Sequence, residues 1–149
     1  MKIYLGADHR GYLLKEKIAR FLFEKGYSFE DMGALSLSPD DDYPLYAEKV
    51  ASMIASSPKD RGILVCGSGV GVLVVANKFD GVRAGLGINK EQVVAARNDD
   101  DINVLALASD FTDEKQALEM VLAFLETPFS GKAKHKKRIE DISRIEANN

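Results

Sequence analysis

Apolar residues in this chain fall into two alternating patterns. Short runs, Ile3–Gly6, Ile63–Val65, Val82–Leu86 and Val104–Leu107, are rich in β-branched and aliphatic residues and too brief for helices, so they read as strands, and Ser28–Asp31 reads as a further short strand. Between them apolar positions recur every three or four residues. Leu13, Leu14, Ile18, Phe21 and Leu22 line one side of a helix over Tyr12–Lys25, which Gly26 terminates. Tyr46, Val50, Met53 and Ile54 do the same up to about Ala55, followed by helical stretches at Val72–Lys78 and Glu91–Arg97. Asp113–Leu125 carries Ala117, Leu118, Val121, Leu122 and Leu125 on one face and is broken by Pro128 and Gly131. This alternation predicts a single domain over residues 1–149, a doubly wound, Rossmann-like α/β fold: a parallel sheet of about five strands with helices on both faces.

In such folds ligands bind beyond the C-terminal ends of the strands. Two polar stretches occupy those ends, Asp8-His9-Arg10-Gly11 after the first strand and Cys66-Gly67-Ser68-Gly69-Val70-Gly71 after the third. The second stretch joins a strand to a helix through glycines, so Cys66 and Ser68 face a helix N-terminus, where backbone N–H groups favour a thiolate or an oxyanion. A lone cysteine is more often a small buried hydrophobe; its place at a strand tip among glycines argues for proton abstraction or anion binding instead. A dinucleotide fingerprint does not fit. The third glycine it requires is Val72, and no acidic residue ends the next strand.

Composition narrows the picture. With 46% hydrophobic and 29% charged residues the chain reads as globular, and a net charge of −3 gives no reason to expect nucleic acid or an anionic membrane. One cysteine excludes an internal disulfide framework and suits a reducing compartment. With neither a signal peptide nor a membrane-length apolar run in view, a cytoplasmic location is expected. The final segment stands apart. Lys132, Lys134, Lys136, Lys137 and Arg138 crowd its start, where cations oppose the helix dipole, while Ile139, Ile142 and Ile145 form one narrow apolar stripe. A solvated basic face is the ordinary reading; the alternative is a helix that docks on a partner subunit and brings its cations to an anionic ligand.

These stretches, together with Asp42-Tyr43-Pro44, Ala76-Asn77-Lys78, Gly81-Val82-Arg83-Ala84, Asn103-Val104-Leu105-Ala106 and Thr127-Pro128-Phe129, occur in one order over nearly the whole chain. In this the chain resembles the type B ribose-5-phosphate isomerases and the related galactose-6-phosphate isomerases. The resemblance implies an aldose–ketose isomerase that uses neither metal nor other cofactor, built as a homodimer or a dimer of dimers with sites shared between subunits. It implies that Cys66 moves a proton between C1 and C2 of a sugar phosphate through an enediolate. Ser68 and the backbone of Gly67, Gly69, Val70 and Gly71 would hold that enediolate, with Asp8, His9 and Tyr43 around the substrate. Lys134 and Arg138 would reach the phosphate of the other subunit's substrate. Asp99 stands where the family has a ring-opening histidine, with Asp100 beside it, and Asp110 replaces an arginine after the fifth strand. The expected function is therefore isomerisation of ribose 5-phosphate or a related pentose or hexose phosphate. The alternative is a non-catalytic sugar-phosphate-binding relative that has lost ring opening.

Overall fold

The computed structural model describes residues 1–149. Five strands, β1 (Ile3–Ala7), β2 (Phe29–Asp31), β3 (Arg61–Cys66), β4 (Ala84–Leu86) and β5 (Val104–Ala108), form one parallel sheet in the order β2-β1-β3-β5-β4. The helices are α1 (Tyr12–Glu24), α2 (Tyr43–Ser56), α3 (Val70–Ala76), α4 (Lys90–Asp100), α5 (Glu114–Glu126) and α6 (Ala133–Ala147). Both faces of the sheet are buried because each central strand is apolar at nearly every position, as parallel sheets require. Ile3, Leu5, Ile63, Val65, Leu105 and Leu107 point to one side, where α1, α4 and α5 cover them. Tyr4, Leu64, Cys66, Val104 and Ala106 point to the other, under α2 and α3. No helix is long and apolar enough to cross a membrane.

The chain winds outward from β1 toward β2, then from β3 toward β4 and β5, so the direction of winding reverses between β1 and β3. The loops following those two adjacent strands therefore diverge and leave a crevice, the place where open α/β sheets bind ligands.

Several boundaries differ from the pattern in the sequence. Helix α3 begins at Val70 rather than Val72, and β4 is shortened to Ala84–Leu86. The largest change is α4, which runs through the aspartate stretch to Asp100 instead of stopping near Arg97. Its start is capped by Asn89, whose side chain accepts from the N–H of Gln92 at 2.8 Å. Its end is set by Asp101, which takes a left-handed conformation with φ 48°. Carboxylates oppose the dipole there, but buried Arg97 compensates by donating to Asp101 at 2.7 Å and to the carbonyls of Ile102 at 2.5 Å and Thr127 at 3.2 Å.

The outer side of β4 is closed by side chains. The Asn77 carboxamide donates to the Ala84 carbonyl at 3.0 Å and accepts from the Ala84 N–H at 2.9 Å. Gln92 donates to the Leu86 carbonyl at 2.9 Å.

Candidate active site

The crevice between β1 and β3 opens into a cavity of about 260 Å³ lined by Asp8, Arg10, Tyr43, Cys66, Gly67, Ser68, Val70 and Gly71. Seven of the thirteen residues singled out from the sequence thus meet in one place. Cys66, at the tip of β3, is nearly fully buried in the core under α2 and α3. The turn after it depends on Gly69, whose φ of +72° is the left-handed region that side chains with a Cβ avoid. A methyl group there would also lie 2.7 Å from Cδ1 of Leu86 and 3.0 Å from the carbonyl carbon of Leu107.

Several polar groups around the cavity have fixed partners. The Ser68 hydroxyl accepts from the Val70 N–H at 3.2 Å, so its own hydrogen is left to donate. Buried Asp8 accepts from the N–H groups of Arg10 and Gly11 through one oxygen, at 3.0 Å each, which shapes the loop after β1. The loop after β5 is tied in as well. Ser109 donates from its N–H to the Cys66 carbonyl at 2.9 Å and from its hydroxyl to the Arg10 carbonyl at 2.8 Å, and the Asp110 N–H donates to the Gly67 carbonyl at 3.0 Å.

His9 leaves the same loop toward Asp41, whose Oδ1 lies 2.8 Å from both its ring Nδ1 and its backbone N. That hydrogen bond raises the imidazole pKa above its ordinary value; burial opposes the rise, and the Asp8 and Asp41 charges reinforce it. Burial pushes Tyr46 up, the charges of Asp41 and Asp8 adding to it. A second cavity, about 210 Å³, adjoins the first through Ser68 and is walled by Leu86, Gly87, Ile88, Ala108, Phe111 and Thr112.

The remaining predicted residues lie elsewhere. In the sheet Gly62 pairs with Val104 at one end and Cys66 with Ala108 at the other, about 13 Å apart along the strands. Asp99 and Asp100 are on the last turn of α4, just before β5 begins, at the end away from Cys66. Asp99 lies 3.7 Å from Nδ1 of buried His135, which is 2.6 Å from the Ser130 hydroxyl. Asp100 borders a groove with Arg83, Ile102 and the α6 residues Ile142 and Ile145. Lys134 and Arg138, one turn apart on α6, are exposed and make no ion pair within the chain. Asp110 lies at the Cys66 end, as the ion-pair partner of Arg10, and not beside Asp99. No three His, Cys, Asp or Glu side chains gather at metal-ligating distance.

Sequence reasoning missed Arg10 and Asp41 as parts of the site. Arg10 was inside the stretch that marked the first loop; Asp41 was inside an acidic run whose contact with His9 spans 32 positions and has no local signature.

The sequence model of the ribose/galactose isomerases matches residues 3–142. The chain belongs to the ribose/galactose isomerase family. Among relatives, it is 40% identical over 145 residues to the ribose-5-phosphate isomerase B of Escherichia coli (strain K12), covering 97% of this chain and 96% of that one. It is 38% identical over 144 residues to the probable ribose-5-phosphate isomerase B of Mycoplasma pneumoniae, covering 97% of this chain and 94% of the relative. Among solved structures in the family, the ribose-5-phosphate isomerase B of Mycoplasma genitalium with bound ribulose-5-phosphate superposes with a TM-score of 0.96 at 37% identity, covering 99% of this chain and 97% of that one. The five-stranded fold is thus the family's fold over its full extent.

Proposed function

We propose that this chain is an aldose–ketose isomerase of the cytoplasm acting on a sugar phosphate, ribose 5-phosphate and ribulose 5-phosphate or a related pentose or hexose phosphate, with residues 1–149 as one catalytic domain. The observation that carries the reading is the cavity at the winding reversal, which joins Cys66 to the Ser68 turn. In an open-chain aldose, the Cys66 thiolate takes the proton from C2 and the electron pair moves onto O1, giving an enediolate. Ser68 and the N–H groups of the Gly67–Gly71 turn stabilise that oxyanion. A proton passes from O2 to O1, and the thiol returns its proton to C1, leaving the ketose. Atoms and charge balance without an added reactant.

Asp99, Asp100, Lys134 and Arg138 serve the site of a second copy of the chain. Their location away from Cys66, the unpaired cations on α6, and the exposed apolar residues Leu45 on α2 and Val70 and Val74 on α3 support a homodimer or dimer of dimers with shared sites. Arg138 and Lys134 meet the substrate phosphate, and Asp99 takes the place of the family's ring-opening group.

The test is Cys66→Ala. General base work accounts for roughly two to four orders of magnitude in rate, so conversion of the best aldose phosphate should fall by about that factor with an unchanged circular dichroism spectrum. Retention of most of the activity would refute the assignment, and tight binding of the sugar phosphate without turnover by the wild type would show a non-catalytic relative instead. Mixing Cys66→Ala with Arg138→Ala protein tests the sharing. Neither variant has a complete site, and the mixture regains activity only if sites combine residues of two chains.

A further inference from the structure

Arg10 is the one cationic side chain that lines the Cys66 cavity from the same chain. Its guanidinium covers the tip of β3 so closely that a methyl group added at Gly67 would run into it. Its backbone is anchored by the Ser109 hydroxyl at 2.8 Å, whereas its side chain is 56% exposed and bonded at its end only to Asp110. Arg10 also lines the neighbouring cavity of about 240 Å³ that contains Ser109, Asp110 and Thr112. The arrangement is thus a fixed base with a cation that can move between the Asp110 carboxylate and the cavity.

The chemistry of the two possible partners differs. An exposed arginine–carboxylate pair is weak and easily exchanged. A phosphate dianion carries more charge and accepts the guanidinium fork through two oxygens at once. Asp110 beside that position repels the same dianion.

We propose that Arg10 is a same-chain ligand of the substrate phosphate, and that Asp110 is its competing partner, so that a phosphorylated substrate replaces the Arg10–Asp110 pair with an Arg10–phosphate pair. This rests on the reading of the cavity as a sugar-phosphate site and names a residue of that site beyond those on α6. A free sugar leaves the Arg10–Asp110 pair closed, which makes the exchange a determinant of specificity for phosphorylated over free sugars.

The experiment is calorimetric titration of the full-length protein with inorganic phosphate, which reads Arg10 without relying on turnover. Arg10→Ala should weaken phosphate binding roughly ten- to a hundredfold, the loss of a charge-assisted hydrogen bond; Arg10→Lys, which keeps the charge and loses the fork, should fall between. Asp110→Asn should tighten binding severalfold when Arg10 is present and clearly less in the Arg10→Ala background, where only its direct repulsion of the dianion is removed. Where turnover is measured, Arg10→Ala should raise KM for a phosphorylated aldose with kcat nearly unchanged. Wild-type strength binding by Arg10→Ala, absence of phosphate binding by the wild type, or an Asp110→Asn effect as large without Arg10 as with it would each overturn the proposal. If the wild type binds phosphate in the way described but isomerises no aldose, the isomerase reading falls and the Arg10 assignment stands.

Discussion

Replacing Gly71 with alanine separates the stability of the fold from the shape of the site. Gly71 is the second residue of α3, and a methyl group there would lie 2.7 Å from Cζ, 2.8 Å from Cε2 and 3.0 Å from Cε1 of the Tyr43 ring. Carbon atoms pack best at about 3.5–4.0 Å, so the ring must retreat by about 1 Å. It has room to do so, being half-buried at the first position of α2. Overpacking of this kind costs about 1–3 kcal/mol, and alanine in place of glycine within a helix returns about 1 kcal/mol. The net loss is about 0–2 kcal/mol, a fall in melting temperature of no more than about 8 °C for a chain of this size. The same displacement moves a wall of a cavity of about 260 Å³. A 1 Å misplacement at a reacting centre can cost about a hundredfold, so kcat/KM for the best aldose phosphate should fall about ten- to a hundredfold. The assays are a thermal melt and initial-rate kinetics on the same preparation. Activity within twofold of the wild type would show that Tyr43 does not shape the substrate's position, and a melting temperature lower by far more than 10 °C would show that the ring cannot retreat.

Three other changes test separate parts of the structure. The Asp41 hydrogen bond raises His9 above its ordinary value of 6.5, so the stability from this pair is fully present below that pH and is lost as pH rises through the raised value; Asp41→Asn should return the His9 midpoint in an NMR titration toward 6.5, and an unmoved midpoint would exclude Asp41 as the cause. Arg97→Met leaves Asp101 with Arg83 as its remaining partner but takes the guanidinium donor from the carbonyls of Ile102 and Thr127, and should cost about 1–3 kcal/mol for each unpaired carbonyl in denaturant unfolding; a total loss below about 1 kcal/mol would mean water replaces the guanidinium. Asp99→His, which restores a group able to donate a proton near neutral pH, should raise kcat for ribose 5-phosphate; fast wild-type turnover with no gain in the variant would show that the carboxylate already suffices.

The sheet and the Cys66 turn were legible in the sequence because both rest on local signals. Apolar runs bounded by glycines and polar loops mark β1, β3 and β5, and the spacing of Gly67, Gly69 and Gly71 marks the turn. The end of α4 was not legible. Its aspartates look like a solvated loop until Arg97 is seen bonded to Asp101 and to carbonyls up to 30 positions away. Arg10 and Asp41 escaped for the same reason, since their partners Asp110 and His9 are 100 and 32 positions distant. The charge run marked Lys134 and Arg138 only as members of a basic segment; the resemblance to a family gave them their roles and supplied Asp99, and nothing within one chain connects the three to Cys66.

The Asn77 carboxamide, which reaches β4 from the end of α3, has a bearing on how the protein behaves when crowded. An unpaired sheet edge presents a row of backbone donors and acceptors that can recruit a strand from another molecule. Here the two edge strands, β2 and β4, are only three residues each, and Asn77 and Gln92 already occupy the N–H and carbonyl of Ala84 and the carbonyl of Leu86 that an incoming strand would use. Fibre-like growth by strand addition is thereby closed at β4.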